Sequence, residues 1–320
     1  VSVDSGTTAL ISHRPGPQPA LSFGGHMNIK DFAETVQNAL KTVLDKEIQI
    51  TEILKLNGIR RYGILIRDPD SNAYPTIYLE PLFEQFKETG DITAITDRII
   101  QEYHSGRLTK SFDTEWFKDF NQVREKIFYR LINYEANQEM LERMPYSRYL
   151  DLAKTYCVQY QADGMHHGHI CIYNNHLEMW GITQEQLACA AEYNTPLLFP
   201  SCLRSMEDIL LEQFQPPGPT AEDQGFPIPE APGLYVLTNK TRTHGAAAIC
   251  YDGPLRDFTA KIGKDAIILP CSIHETLLLA LESGENLEYL KETVHTVNRT
   301  QLDPSDRLSD NIYIYRRNTG

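Results

Sequence analysis

The chain has 320 residues and a mass of 36.5 kDa, with 41% hydrophobic and 23% charged residues, ordinary globular values that exclude wholesale disorder. Its 30 Lys and Arg against 43 Asp and Glu leave a formal net charge of −13, which repels phosphate backbones and excludes a general nucleic-acid binder. No run of about 18 apolar residues occurs, so no membrane-spanning helix is predicted.

Residues 1–26 hold Pro15, Pro17, Pro19 and the pair Gly24-Gly25, with almost no apolar periodicity. Such a stretch buries too little surface to offset its ordering entropy, and it lacks the basic and apolar regions of a secretory signal. The fold is expected to begin at Met27. Gly24-Gly25-His26 reads as translated ribosome-binding sequence or a cloning scar, against the plainer reading of a native flexible tail. Asp4 and Arg14 cancel, so the net charge belongs to the body of the chain.

From Asn28, a good N-cap, the residues Phe32, Val36, Leu40, Val43 and Leu44 recur at helical spacing. Residues 47–56 and 59–67 alternate like strands around Asn57-Gly58, a strong hairpin signal. A short strand begins at Thr76, and helices follow over 80–89 and 91–105, the second capped by Asp91. Residues 113–142 are expected to continue as helix, with Phe117, Phe120, Val123, Ile127 and Leu131 as its core stripe.

After Met144-Pro145, residues 150–160 and 168–173 predict an antiparallel pair with Asp163-Gly164 in the turn. Thr183 and Gln186 form a capping box for a helix that Pro196 is expected to stop near Tyr193. A short helix over 203–214 precedes residues 215–232, where six prolines and two glycines predict a linker. Strands are then predicted at 234–237, 245–251 and 266–270, and helices at 254–263 and 286–299. Residues 273–281 stay open between helix and strand, and Asn311–Arg316 reads as a last strand. The class is α+β, with an N-terminal helix–hairpin–helix unit over 27–145, a middle segment 146–214, the linker, and a C-terminal unit over 233–320.

Several phrases resemble a bacterial family found in gut Firmicutes, catalogued as domain of unknown function five-six-eight-eight. They are Tyr235 to Asn239, Gly245-Ala246-Ala247, Ile268 to Glu275, Trp180 to Thr183, Asn194-Thr195-Pro196 and Tyr78-Leu79-Glu80. The resemblance covers roughly Met27 to Arg316 and implies no particular activity. The family usually has Ser-Ser before Ile-His-Glu where this chain has Cys271-Ser272, which argues against an obligatory nucleophile at position 271.

Ser272, His274 and Glu275 supply a hydroxyl, an imidazole and a carboxylate, the parts of a hydrolytic or transferase apparatus, with Asn239 as a candidate fourth member. On a strand Ser272 and His274 lie side by side, and no Gly-x-Ser-x-Gly elbow is present. The plainer alternative has these side chains bonding nearby backbone. The run His166-His167-Gly168-His169 with His176 offers imidazoles, and His167, His169 and His176 are candidate metal ligands. Solvated histidines on a turn explain the run more simply. Phosphate-binding glycine loops are absent, and no cofactor is expected.

Tyrosines at 146, 149, 156 and 160 suit a peptide or partner groove, with Tyr156 and Tyr160 the candidate contacts, or a domain junction. Six cysteines without a CxxC pair suit buried thiols in a reducing, cytoplasmic setting. The sequence therefore favours a non-enzymatic protein that binds a protein or peptide, above a hydrolase and a metal protein.

Overall fold

A computed structural model of the chain describes residues 27–69, 74–106, 114–160, 168–214 and 233–319. The expectations for 1–26, for the Asp163-Gly164 turn, for His166 and His167, and for the linker 215–232 lie outside the described residues. The chain forms an α+β fold in two compact units. The first is bounded by Val1–Asp119 and Gln159–Ile170, the second by Phe120–Val158 and Cys171–Gly320.

In the first unit, helix α1 (Ile29–Val43) starts at Asn28, whose side-chain oxygen accepts from the Lys30 and Asp31 N–H groups at 2.9 and 3.0 Å. Its buried face is Phe32, Ala33, Val36 and Leu40, which includes three residues of the predicted stripe, whereas Val43, expected with them, is exposed where the helix ends. Strands β1 (Glu47–Leu54) and β2 (Arg60–Arg67) pair antiparallel, and the left-handed backbone at Asn57 and Gly58 turns the chain between them. Strand β3 (Thr76–Tyr78) adds to β2 and completes a sheet in sequence order. Helix α2 (Glu80–Thr89) ends at Gly90, also left-handed, and α3 (Ile92–Gly106) is capped by the Asp91 carboxylate. Leu79, Leu82, Ile95 and Ile99 join the α1 face and Ile64 in one core. The short helix α4 (Glu115–Lys118) follows.

The second unit departs from the sequence reading at its start. The helix expected over 113–142 ends in α5 (Phe120–Val123) and a 3-10 turn, and Ile127–Asn133 is strand β4. Phe120, Val123, Ile127 and Leu131 sit at helix-like spacing, but β4 is buried at almost every position. A strand covered on both faces loses the period-two signal that would have revealed it.

After α6 (Gln138–Leu141), strands β5 (Tyr146–Tyr149), β6 (Leu152–Tyr160) and β7 (Gly168–Cys171) follow. Both β4 and β5 pair antiparallel with β6, and β7 pairs with β6 as well. Helix α7 (Asn174–Trp180) leads to α8 (Gln184–Leu198), which begins with the predicted Thr183–Gln186 capping box. Pro196 does not stop α8. It lies in the last turn, where a missing N–H costs one bond, and the helix closes with Phe199 N–H on the Thr195 carbonyl.

Residues 203–214, expected to be one helix, divide into strand β8 (Ser201–Ser205) and helix α9 (Met206–Phe214). Beyond β9 (Tyr235–Asn239), the alanine-rich 245–251 is a buried 3-10 helix over Gly245–Cys250 rather than a strand. Helix α10 (Pro254–Ile262), β10 (Ala266–Leu269), β11 (Thr276–Ala280), α11 (Leu287–Gln301) and β12 (Tyr313–Tyr315) complete the chain, with 273–281 resolved in favour of strand. The antiparallel sheet runs β12-β10-β11-β9-β8. Ile267 and Leu269 of this sheet pack with Val294, Leu287 and Leu290 of α11.

Candidate functional site

A cluster of polar side chains in the second unit gathers where β9 ends and where the chain leaves β10. Asn239 closes β9 and is 1% exposed. Its amide donates to the Thr243 carbonyl at 2.8 Å, and its carbonyl accepts from the Thr241 N–H and hydroxyl at 3.1 and 2.9 Å. These bonds curl the chain into a loop that brings His244 (φ +53°) into the left-handed region. Gly245 follows with no room for a side chain, since a Cβ would lie 2.1 Å from Thr238 Oγ1 and 2.5 Å from the His274 carbonyl oxygen.

The chain leaving β10 meets this loop. Cys271 and Ile273 exchange backbone bonds with Leu308 and Asp306, and Ser272 bridges Arg307. His274 is thereby fixed. Its Nδ1 accepts the His244 N–H at 3.3 Å, the two imidazoles stack 5.7 Å apart, and Nε2 stands 3.7 Å from the Asp306 carboxylate. An Nδ1 that accepts places the neutral ring's proton on Nε2, facing Asp306. Beneath the loop, Phe128, Tyr129, Thr195, Phe199, Asn239, His244, Ala247 and Tyr251 line a narrow space too tight to admit a water molecule. The Tyr129 hydroxyl is buried there with no hydrogen-bond partner among the described residues, and burial pushes its pKa up.

Ser272 is 7% exposed, and its hydroxyl accepts the His274 backbone N–H at 3.0 Å. Glu275 is exposed. Ser272, His274 and Glu275 are thus neighbours along the chain, with the Ser272 oxygen committed to backbone. Asn239 is likewise spent on its own loop. The partners that sequence reasoning missed, His244 and Asp306, lie 30 and 32 positions from His274. The only signal for His244 was its place beside the Gly245-Ala246-Ala247 phrase.

Tyr156 is fully buried on β6 with its hydroxyl 2.7 Å from Ser147 Oγ, and burial raises its pKa. Tyr160 ends β6 and stacks on Trp116 at 5.9 Å. His169 lies on β7, and His176 is in the first turn of α7. The His176 Nδ1 accepts the Tyr173 N–H at 3.1 Å, and burial lowers its pKa. That nitrogen caps a helix and is not open to a metal. Among the described residues, no helix is long and apolar enough to cross a membrane.

Fold and site together define an α+β protein whose second unit is built around a buried asparagine loop and a paired histidine. A model described as "Family of unknown function (DUF5688)" matches residues 29–317, and the chain belongs to that family. The phrases around Asn194, Asn239, Gly245 and His274 that suggested this membership converge on the narrow space and the loop above it. No curated protein and no solved structure matches the chain.

Proposed function

We propose that the protein is a non-enzymatic binding protein, working in the bacterial cytoplasm, whose ligand is another protein or peptide seated on the outer face of α8. The observation that carries this reading is a stripe at four-residue spacing. Cys189 is exposed, Tyr193 is 73% exposed and Leu197 is 64% exposed, while Leu187, Ala191, Asn194 and Thr195 of the same helix are buried. A helix already buried on one face gains nothing from apolar residues on the other unless something covers them. Tyrosine is well suited to such contacts. The net charge of −13 favours a partner with a basic rim. The six cysteines include no CxxC pair and the chain is long, which suits a reducing compartment.

A hydrolytic role for Ser272, His274 and Glu275 has less support. The Ser272 oxygen bonds backbone, and the one lone pair of neutral His274 already accepts from His244. The predicted trio His167, His169 and His176 has less still, since His176 holds a helix cap and His169 lies instead with Cys157 and Cys171, their ligand atoms within 4.8 Å of one another.

The test is quantitative affinity capture from the native host with the wild-type chain and a Tyr193→Asp variant, with circular dichroism to show that both are folded. A stoichiometric partner retained by the wild type and reduced at least about tenfold by the variant is expected, as loss of one interface anchor predicts. Equal recovery by both chains, or turnover of an ester or amide substrate abolished by His274→Ala, overturns the reading.

A further inference from the structure

Two thiols in the second unit, neither belonging to the asparagine loop nor to the α8 stripe, face each other across neighbouring strands. The Ile172 N–H donates to the Tyr156 carbonyl at 2.9 Å. In an antiparallel ladder this sets the next pair, Cys157 and Cys171, directly opposite at a non-hydrogen-bonded position, where Cα atoms come within about 4.5 Å. That spacing is at the short end of the range a disulfide spans, about 4.4–6.8 Å. The sulfurs are 3.9 Å apart, with the Cys157 thiol directed at Cys171 Sγ. We propose that Cys157 and Cys171 form a reversible disulfide driven by a hydroperoxide, making β6 and β7 a redox-responsive pair of strands.

The surroundings give the two sulfurs different parts. Cys171 is half-buried, whereas Cys157 is fully buried. The Arg130 guanidinium donates to Cys171 Sγ at 3.4 Å and favours negative charge on that sulfur. Burial, together with the neighbouring Cys171, pushes the Cys157 thiol up, so Cys157 stays protonated. The Cys171 thiolate therefore attacks the peroxide first. One S–O bond forms to the attacked oxygen, the O–O bond breaks, and the sulfur is oxidised to a sulfenic acid while the other oxygen takes a proton from solvent and leaves as an alcohol, or as water when the oxidant is hydrogen peroxide. The Cys157 sulfur then attacks the Cys171 sulfur. The S–O bond breaks, and the hydroxyl leaves as water with the Cys157 proton. A dithiol reductant reverses the reaction by exchange, taking up the disulfide as its own. Because the cross-strand site is tight, the bond is expected to be readily reducible, as labile regulatory disulfides are.

The experiment uses the full chain, reduced, desalted and treated with hydrogen peroxide. Non-reducing peptide mapping is expected to show one Cys157–Cys171 linked peptide, with a mass loss of about 2 Da for two hydrogens. Dithiothreitol restores both thiols, while Cys189 on α8 alkylates equally before and after. Cys157→Ser is expected to stop at a Cys171 sulfenic acid that dimedone traps, and Cys171→Ser to leave Cys157 unreacted. The wild-type map decides the matter even if a variant fails to fold. A wild-type chain that gives no linked peptide, that links other cysteines, or that holds stoichiometric zinc released only by thiol modification, overturns the proposal.

Discussion

In the first unit the buried face of α1 meets β2, α2 and α3 through Phe32, Val36, Leu40, Ile64, Leu79, Leu82 and Ile99, and Asp68 and Thr96 are the buried polar residues among those described. In the second, Asn194, Thr195, Thr238, Asn239, Thr276, Asn298 and Ser309 are all buried, and most of them hold backbone groups far away in sequence. Asn194 donates to the carbonyls of Arg124 and Ile127, and Thr195 accepts the Tyr129 N–H, so α8 is pinned to β4 by polar bonds as well as by packing. An apolar core tolerates many sequences of the right volume. A buried polar network demands its partners, because each unpaired group costs the full desolvation penalty. The second unit is therefore the more exacting of the two.

The sharpest way to break this contrast is a pair of glycine substitutions. Gly245→Ala drives a Cβ against backbone, 2.5 Å from the His274 carbonyl oxygen and 2.7 Å from the Asn239 nitrogen. It is expected to destabilise the chain by at least about 3 kcal/mol in urea unfolding. Gly63→Ala in the first unit meets the Thr76 methyl at 2.4 Å, a side chain that can turn away, and a loss of about 1 kcal/mol is expected. Equal losses would dissolve the distinction.

Next in size is an effect of pH. Asp151 is half-buried, which alone would raise its pKa. Hydrogen bonds from Ser309, Tyr313 and Asn311 outweigh burial and hold it below the usual carboxylate range. A depressed folded pKa adds stability that is whole above the unfolded value, about pH 4, and is lost as pH falls through the folded value. Asp151→Asn should flatten the decline in unfolding midpoint between about pH 4 and pH 2 relative to wild type. An unchanged slope would show that other carboxylates carry it. The smallest expected effect is in the first unit, where Asn28→Ala removes the cap of α1 and costs about 1 kcal/mol. Hydrogen exchange should localise that loss to the first turn of α1.

The same contrast governs how much could be read in advance. Asn28, the α1 stripe, the Asn57-Gly58 hairpin and the Asp91 cap are local signals, and the first unit followed them closely. Ile127–Asn133 could not be read as a strand, because burial on both faces erased its period. Gly245–Cys250 looked like a strand by hydrophobicity, yet it is a turn held by Ile273 and by the absence of a side chain at Gly245. In the site, the Ser272-Ile273-His274-Glu275 phrase was visible. Its bonding was not, since His244 and Asp306 arrive by tertiary pairing that no spacing encodes.

The Asp151 network also sets an order of events during synthesis. Its three partners are Ser309, Asn311 and Tyr313, and the hydrogen bonds reach across 158 to 162 positions. Strand β12, which carries Tyr313, is also an edge strand of the five-stranded sheet, beside β10. While a ribosome is still adding the residues before Ser309, the Asp151 carboxylate has none of these partners and the β10 edge is open. The second unit must wait in that state, and a nascent chain has to be kept from pairing through that edge until β12 emerges.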